Sequence, residues 1–304
     1  MSIVTKQRFV GVRWLYATML VVVGLLIAAA AGAATSSGSV AAKQRVDTRL
    51  VFQRNQLSNW NGTSKGEIAV MNLDGSGFRR LLAHNGISEE SPSWSPRKDR
   101  IAFMRTGVPS QLWVMDANGH SQRRLPTRGL SVAGGPAWSP IGRSILFRAT
   151  TERGFALWTV DVRTGKLKRL TSGLFADTGF TWSPDGTRIA FSRGGRLWTM
   201  RLRDRRLTRR CEGLAPAWSP DGRRIAYWRN GALWLMNADD GSHKHRLLFG
   251  VDGFTWSADG QWIVFNAGNG GGDLFAIHPN GSGRHMIRRE SGGPNGWHAN
   301  YPDG

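Results

Sequence analysis

What this 304-residue chain lacks narrows its chemistry first. It has a single cysteine, Cys211, so no intramolecular disulfide can form and no Cys-x-x-Cys or Cys/His zinc spacing exists. Acids are scarce, 21 Asp+Glu against 41 Lys+Arg, for a net charge of +20. Long alanine-, leucine- and glutamate-rich tracts are missing outside the N-terminus. Together these absences exclude a disulfide miniprotein, a zinc finger and a coiled coil. What is plentiful points the other way. Glycine (39) and tryptophan (14) are both over-used, and 40% of residues are hydrophobic. That balance describes a folded, turn-rich β protein.

The N-terminus reads as an address. Lys6, Arg8 and Arg13 precede an uncharged apolar run from Trp14 to Ala34. A basic head, an apolar middle and small residues at the end form a secretory signal, and about 21 apolar residues also suffice to span a bilayer if left uncleaved. Residues 1–34 are therefore expected to be a signal peptide or membrane anchor, with the basic side cytoplasmic and the remainder exported. No cysteine stands directly after the apolar run, so a lipobox anchor is excluded. Residues 35–47 form a short linker.

The rest of the chain is repetitive. Trp94-Ser95-Pro96, Trp138-Ser139-Pro140, Trp182-Ser183-Pro184-Asp185-Gly186, Trp218-Ser219-Pro220-Asp221-Gly222 and Trp256-Ser257-Ala258-Asp259-Gly260 open five units. Seven residues after each tryptophan stands Ile101, Ile145, Ile189, Ile225 or Ile263. A second apolar segment follows, of the kind Leu112-Trp113-Val114-Met115, and then a basic stretch such as Arg123-Arg124-Leu125. Each unit predicts four strands. Strand A ends at the tryptophan, the Ser-Pro-Asp-Gly tetrad turns, strands B and C are apolar on both faces, and strand D is a basic edge. A small sheet buried on both faces by copies of itself is a propeller blade.

Strand B occurs six times, its first copy being Leu50-Val51-Phe52, which predicts six four-stranded blades over residues 48–304. That first copy has no tetrad before it. The chain ends on Tyr301-Pro302-Asp303-Gly304, with Asn300 in the tryptophan register. The tail is expected to supply the missing strand A and close the ring.

The recurring Trp-Ser-Pro-Asp-Gly-x-x-Ile-Ala-Phe, Leu-Trp-x-Met-Asp and Arg-Arg-Leu segments resemble the WD40-like PD40 repeat of TolB-type β-propellers. The resemblance implies an all-β propeller that contacts protein partners at the cell envelope.

Without residues 1–34 the chain keeps 38 bases against 21 acids, or +17. Sixteen bases, among them Arg79, Arg124, Arg206 and Arg210, fall in or beside strand D, spread around the rim where charge deters edge-to-edge pairing. This distribution excludes a nucleic-acid groove and leaves a weak attraction to anionic envelope polymers. No Gly-x-Ser-x-Gly elbow is present, and His243 and His245 lie near an outer strand without carboxylate partners. No catalytic residue, metal site or cofactor is predicted.

The D–A connections carry Glu89, Glu90, Asp177, Glu212, Asp252 and Glu290, four to seven residues before a strand-A landmark (Trp297 for the last). They should converge with the B–C loops on one mouth of the channel, where Trp60 offers a stacking platform. Variable loops on a rigid scaffold are where binding residues gather. The expectation is a monomeric, exported, non-catalytic scaffold binding a protein or peptide partner through the D–A/B–C face, with membrane contact only through residues 14–34. The alternative is a carbohydrate-active lyase- or hydrolase-like propeller whose acidic mouth holds a metal.

Overall fold

In a computed structural model of the chain, residues 49–57, 64–72, 76–82, 87–172, 177–257, 259–267 and 274–288 are described. They form six antiparallel sheets joined in chain order. The first sheet holds β1 (Arg49–Leu57), β2 (Ser64–Asn72) and β3 (Arg79–Leu82). The second runs β4 (Glu89–Trp94), β5 (Arg100–Arg105), β6 (Gln111–Asp116), β7 (Arg123–Arg124), and the third β8 (Val132–Trp138), β9 (Ser144–Thr151), β10 (Gly154–Asp161), β11 (Leu167–Arg169). In the fourth stand β12 (Asp177–Trp182), β13 (Arg188–Arg193), β14 (Arg196–Arg201) and β15 (Arg206–Glu212). The fifth comprises β16 (Leu214–Trp218), β17 (Arg224–Arg229), β18 (Ala232–Asn237) and β19 (His245–Phe249). The sixth comprises β20 (Val251–Trp256), β21 (Ile263–Ala267), β22 (Leu274–Ile277) and β23 (His285–Arg288).

The architecture is an all-β propeller, with one correction to the count of strands. Five blades have four strands each, and the first sheet has three. The cause is visible in the register of β1. Its Leu50-Val51-Phe52 pairs with Met71-Val70-Ala69 as a strand B does with strand C, so the sheet starts one strand late. The tail expected to fill that place, Asn300–Gly304, lies outside the described residues, as do residues 1–34. None of the described residues is helical.

The core sits in the seams between blades. Ile101 and Phe103 pack with Ile68, Val70 and Trp94 across the first seam, whereas Ala102 between them faces Ile145 and Phe147 across the second. Ile189 and Phe191 face the third blade in the same way, and Ala190 faces Tyr227 of the fifth. The repeated Ile-Ala-Phe thus reads large toward the preceding blade and small toward the next, which lets two pleated faces interdigitate. Each fully buried aromatic contributes about 1.5–3 kcal/mol by burial.

The tetrad and its tryptophan fix the spacing of the blades. Ser183 Oγ accepts the Arg188 N–H at 2.9 Å and donates to Asp185 Oδ1 at 2.5 Å, and Ser219 repeats this with Arg224 and Asp221 at 2.9 and 2.6 Å. Gly222 holds φ at 74°, and a Cβ there would sit 3.8 Å from Pro184 of the preceding turn, so successive turns nest. Trp138 Nε1 donates to the Ser93 carbonyl, Trp182 to Ala137 and Trp256 to Ala217, each at 3.1 Å. Every one of these bonds crosses a seam. It joins the inner strand of one blade to that of its predecessor.

Candidate functional site

The D–A connections and B–C loops emerge on one face, opposite the tetrads. Just inside it, every inner strand of the second to sixth blades breaks register with a bulge. Three residues before their tryptophans, Ser91, Gly179 and Ala215 take φ of 55°, 45° and 49°. A bulge frees backbone groups that burial would make costly. In the second, fifth and sixth blades, side chains of the preceding blade's strand B take them up. Gln53 Oε1 accepts the Ser91 N–H at 3.0 Å, the buried Ser192 Oγ accepts the Ala215 N–H at 3.1 Å, and Trp228 Nε1 donates to the Val251 carbonyl at 2.8 Å. A Cβ on Gly179 would stand 2.9 Å from the Ala215 Cα, so the two bulges touch.

Two of the predicted acids, Glu89 and Glu212, pair with arginines. Glu89 is fully buried, and its Oε1 accepts from Arg105 Nε at 3.1 Å and Nη2 at 2.7 Å. Arg105 lies 4.2 Å from the Trp113 ring centroid, and its Nη2 also reaches Gln122 Oε1 at 2.8 Å. Glu212 meets Arg229 Nη2 at 3.3 Å in a far more open setting. Asp177 stands opposite Arg193 in the ladder, and its side chain, like that of Asp252, lies outside the description. Glu90 Oε1 accepts the Ser88 hydroxyl at 3.0 Å. Trp60 and Glu290 fall outside the described residues. Among the described residues, no three metal-ligating side chains gather. The arginines at this face were not singled out from sequence, although the signal is there: Arg54, Arg105, Arg193 and Arg229 each stand four residues after the strand-B aliphatic.

The loops differ around the face. Two residues join strands B and C in the third, fourth and fifth blades, whereas five or six do so in the first, second and sixth. The short ones are forced turns, such as Asn230-Gly231 with φ of 50° and 73°. The loop of the second blade, residues 106–110, is tied at both ends. Thr106 donates its N–H and its hydroxyl to the Ser88 carbonyl at 2.9 and 3.1 Å. The Ser110 N–H reaches Ser131 Oγ at 3.2 Å, and the Ser110 carbonyl accepts the Val132 N–H at 2.9 Å. At the tip Val108 is 105% exposed, and Ile87, next to Ser88, is 40% exposed. Two aliphatic side chains are thus presented to water on backbone anchored to both neighbouring connections.

The fold is a propeller stitched from inner bulges, with one buried and one open carboxylate–arginine pair and an exposed aliphatic tip on its loop face. A family profile described as the TolB β-propeller domain, built on the PD40 repeat, matches residues 40–209, more than half of the chain. The chain belongs to that family. A 77-residue stretch is 40% identical to the Tol-Pal system protein TolB of Rhizorhabdus wittichii, covering 24% of this chain and 17% of that protein. An uncharacterized Agrobacterium fabrum protein is 28% identical over 129 residues, 41% of this chain and 43% of its own. The matched stretches therefore span less than half of these relatives. Among solved structures, TolB from Acinetobacter baumannii superposes with a TM-score of 0.65 at 20% identity, over 78% of this chain and 63% of that one. Oligogalacturonate lyase from Vibrio parahaemolyticus gives 0.60 at 13% identity, over 80% and 75%. Both likenesses are of fold.

Proposed function

We propose that the protein is an exported, non-catalytic propeller scaffold that binds a protein or peptide partner at the cell envelope through the D–A/B–C face. The observation that carries this reading is the second blade's loop. An exposed valine gains nothing from its own fold, yet the loop that carries it is pinned through Thr106 and Ser110 by hydrogen bonds to Ser88 and Ser131. Pre-organised apolar tips of this kind lose little entropy on docking. The Arg105–Glu89 pair beneath gives the surface a fixed polar floor. The similarity to proteins named for the Tol-Pal system supports an envelope setting.

The carbohydrate-active alternative needs free carboxylates at the mouth, and Glu89 already holds an arginine on two donors. Any cation there would have to displace Arg105.

The test compares two exposed aliphatics on opposite faces. Val108→Asp, at the loop tip, should lower retention of an envelope partner about tenfold or more, as expected when a contact worth over 1 kcal/mol is lost. Ile141→Asp, in the tetrad turn of the third blade and 79% exposed, should leave retention unchanged. Equal retention by both variants would overturn the assignment of the face.

A further inference from the structure

We propose that the outer edge of the fourth blade, formed by β14, β15 and the turn between them, docks on an anionic lipid surface. Between residues 196 and 212, the full extent of the two strands, stand seven arginines, no lysine and two acids, Asp204 and Glu212. Both are already engaged, Asp204 2.5 Å from Arg201 Nη2 and Glu212 3.3 Å from Arg229 Nη2. Arg196, Arg205, Arg206 and Arg209 are exposed and form no ion pair with any described residue. Planar guanidinium forks match phosphate oxygens two at a time, which a lysine cannot do.

Protection of a sheet edge explains charge on an outer strand but not an apolar residue among it. β15 is seven residues long, whereas β7 and β11 have two and three. It carries Leu207 at 41% exposure in the midst of its arginines. A leucine gains nothing from a soluble polyphosphate. It gains by entering the boundary between headgroups and acyl chains while the arginines stay at phosphate level. The charge complementarity is with lipid phosphate, and Leu207 selects a lipid over a polymer. This inference shares the envelope setting of the proposed function. There, the 14 residues between Ala34 and Arg49 would reach about 50 Å at most from a bilayer holding residues 14–34.

The experiment measures partition of the full chain onto phosphatidylcholine vesicles with and without phosphatidylglycerol. The readout is the gain on adding the anionic lipid, so any charge-independent contribution of residues 14–34 cancels. The triple variant Arg205→Gln, Arg206→Gln, Arg209→Gln should lose about 100-fold of that gain at low salt, roughly fivefold for each arginine. Leu207→Ser, which removes no charge, should lower binding to the phosphatidylglycerol-containing vesicles themselves about threefold. A control with equal charge removed from the second and third blades, Arg123→Gln, Arg124→Gln, Lys168→Gln, should stay within about threefold of wild type. An equal loss in the control would show diffuse net charge and overturn the site. An unchanged Leu207→Ser together with full competition by soluble polyphosphate would overturn the lipid in favour of a polymer. Retention of the partner bound through Val108 should not respond to the rim triple, so failure here is separable from failure of the loop-face reading.

Discussion

The two carboxylate–arginine pairs at the loop face differ in burial, and that difference sets a prediction with a large contrast. Replacing Glu89 by Gln keeps the shape of the side chain but removes the charge beneath Arg105 Nε and Nη2. The side chains of that pair are 0% and 14% exposed, against 62% and 34% for Glu212 and Arg229. Breaking one half of a buried pair costs about 3–5 kcal/mol, because the surviving ion stays desolvated. The Trp113 ring and Gln122 Oε1 still face Arg105, and a cation–π contact returns about 1 kcal/mol. The net expectation for Glu89→Gln is therefore about 2–4 kcal/mol of destabilisation. For Glu212→Gln it is under about 1 kcal/mol, the range of exposed pairs.

At about 2–4 °C per kcal/mol for a chain of this size, the melting temperature should fall by roughly 5–15 °C in the first case and under about 4 °C in the second. Salt should widen the contrast, since it screens only the open pair. Differential scanning calorimetry of both variants and of Glu89→Gln/Arg105→Met completes the test. The double variant should recover part of the loss, because no uncompensated cation remains against Trp113. Equal shifts for Glu89→Gln and Glu212→Gln, or a double variant no better than the sum of its singles, would refute the reasoning.

Two further expectations follow from buried and partly buried groups. Tyr227 is fully buried where Phe103, Phe147, Phe191 and Phe265 occupy the same place in other blades, and its hydroxyl meets no oxygen or nitrogen partner, only the weakly bonding Cys211 thiol. Tyr227→Phe should therefore raise stability by about 1 kcal/mol, read as a higher denaturant midpoint with an unchanged slope. At the tetrads, partial burial pushes the Asp185 and Asp221 carboxyls up, but hydrogen bonds from Ser183 and Thr187, and from Ser219 and Arg223, outweigh it and hold both below the usual range. A depressed folded value means the unfolded chain binds more protons, so this stability is complete above about pH 4 and lost as pH falls through the folded value. Melting curves taken downward from pH 7 should be flat until about pH 4 and then drop, and Asp185→Asn/Asp221→Asn should flatten that drop.

Much of the scaffold was legible in the sequence because the same physical demand recurs in every blade. A tryptophan that must reach the previous inner strand, a serine that must close the turn, and an Ile-Ala-Phe triplet that must alternate large and small leave a periodic trace. The inter-blade clasps leave none. Gln53, Ser192 and Trp228 do one job, satisfying the bulge of the next blade, with three unrelated side chains, so no repeat marks them. The pairing of an acid with an arginine at the loop face leaves no periodic signal of its own. Glu89 and Arg105 are 16 residues apart in sequence and become neighbours only through pairing of β4 with β5. The first sheet's strand count was likewise beyond periodicity, since the repeat shows that a strand is missing without supplying it.

Departures from the repeat are the better guide to function in such a fold. A residue type shared by all blades is accounted for by the seams, which every blade must fill. Val108, an aliphatic on an anchored loop tip, and Leu207, more exposed than its counterpart Leu167 in the third blade, are the two departures on which the proposals rest. They divide between two surfaces. Val108 belongs to the loop face of the second blade, and Leu207 to the rim of the fourth. A disc resting on its rim against a lipid surface keeps its face perpendicular to that surface, and the second blade lies two blades away from the contact. The two proposed surfaces can therefore be occupied at once without competing for the same part of the molecule.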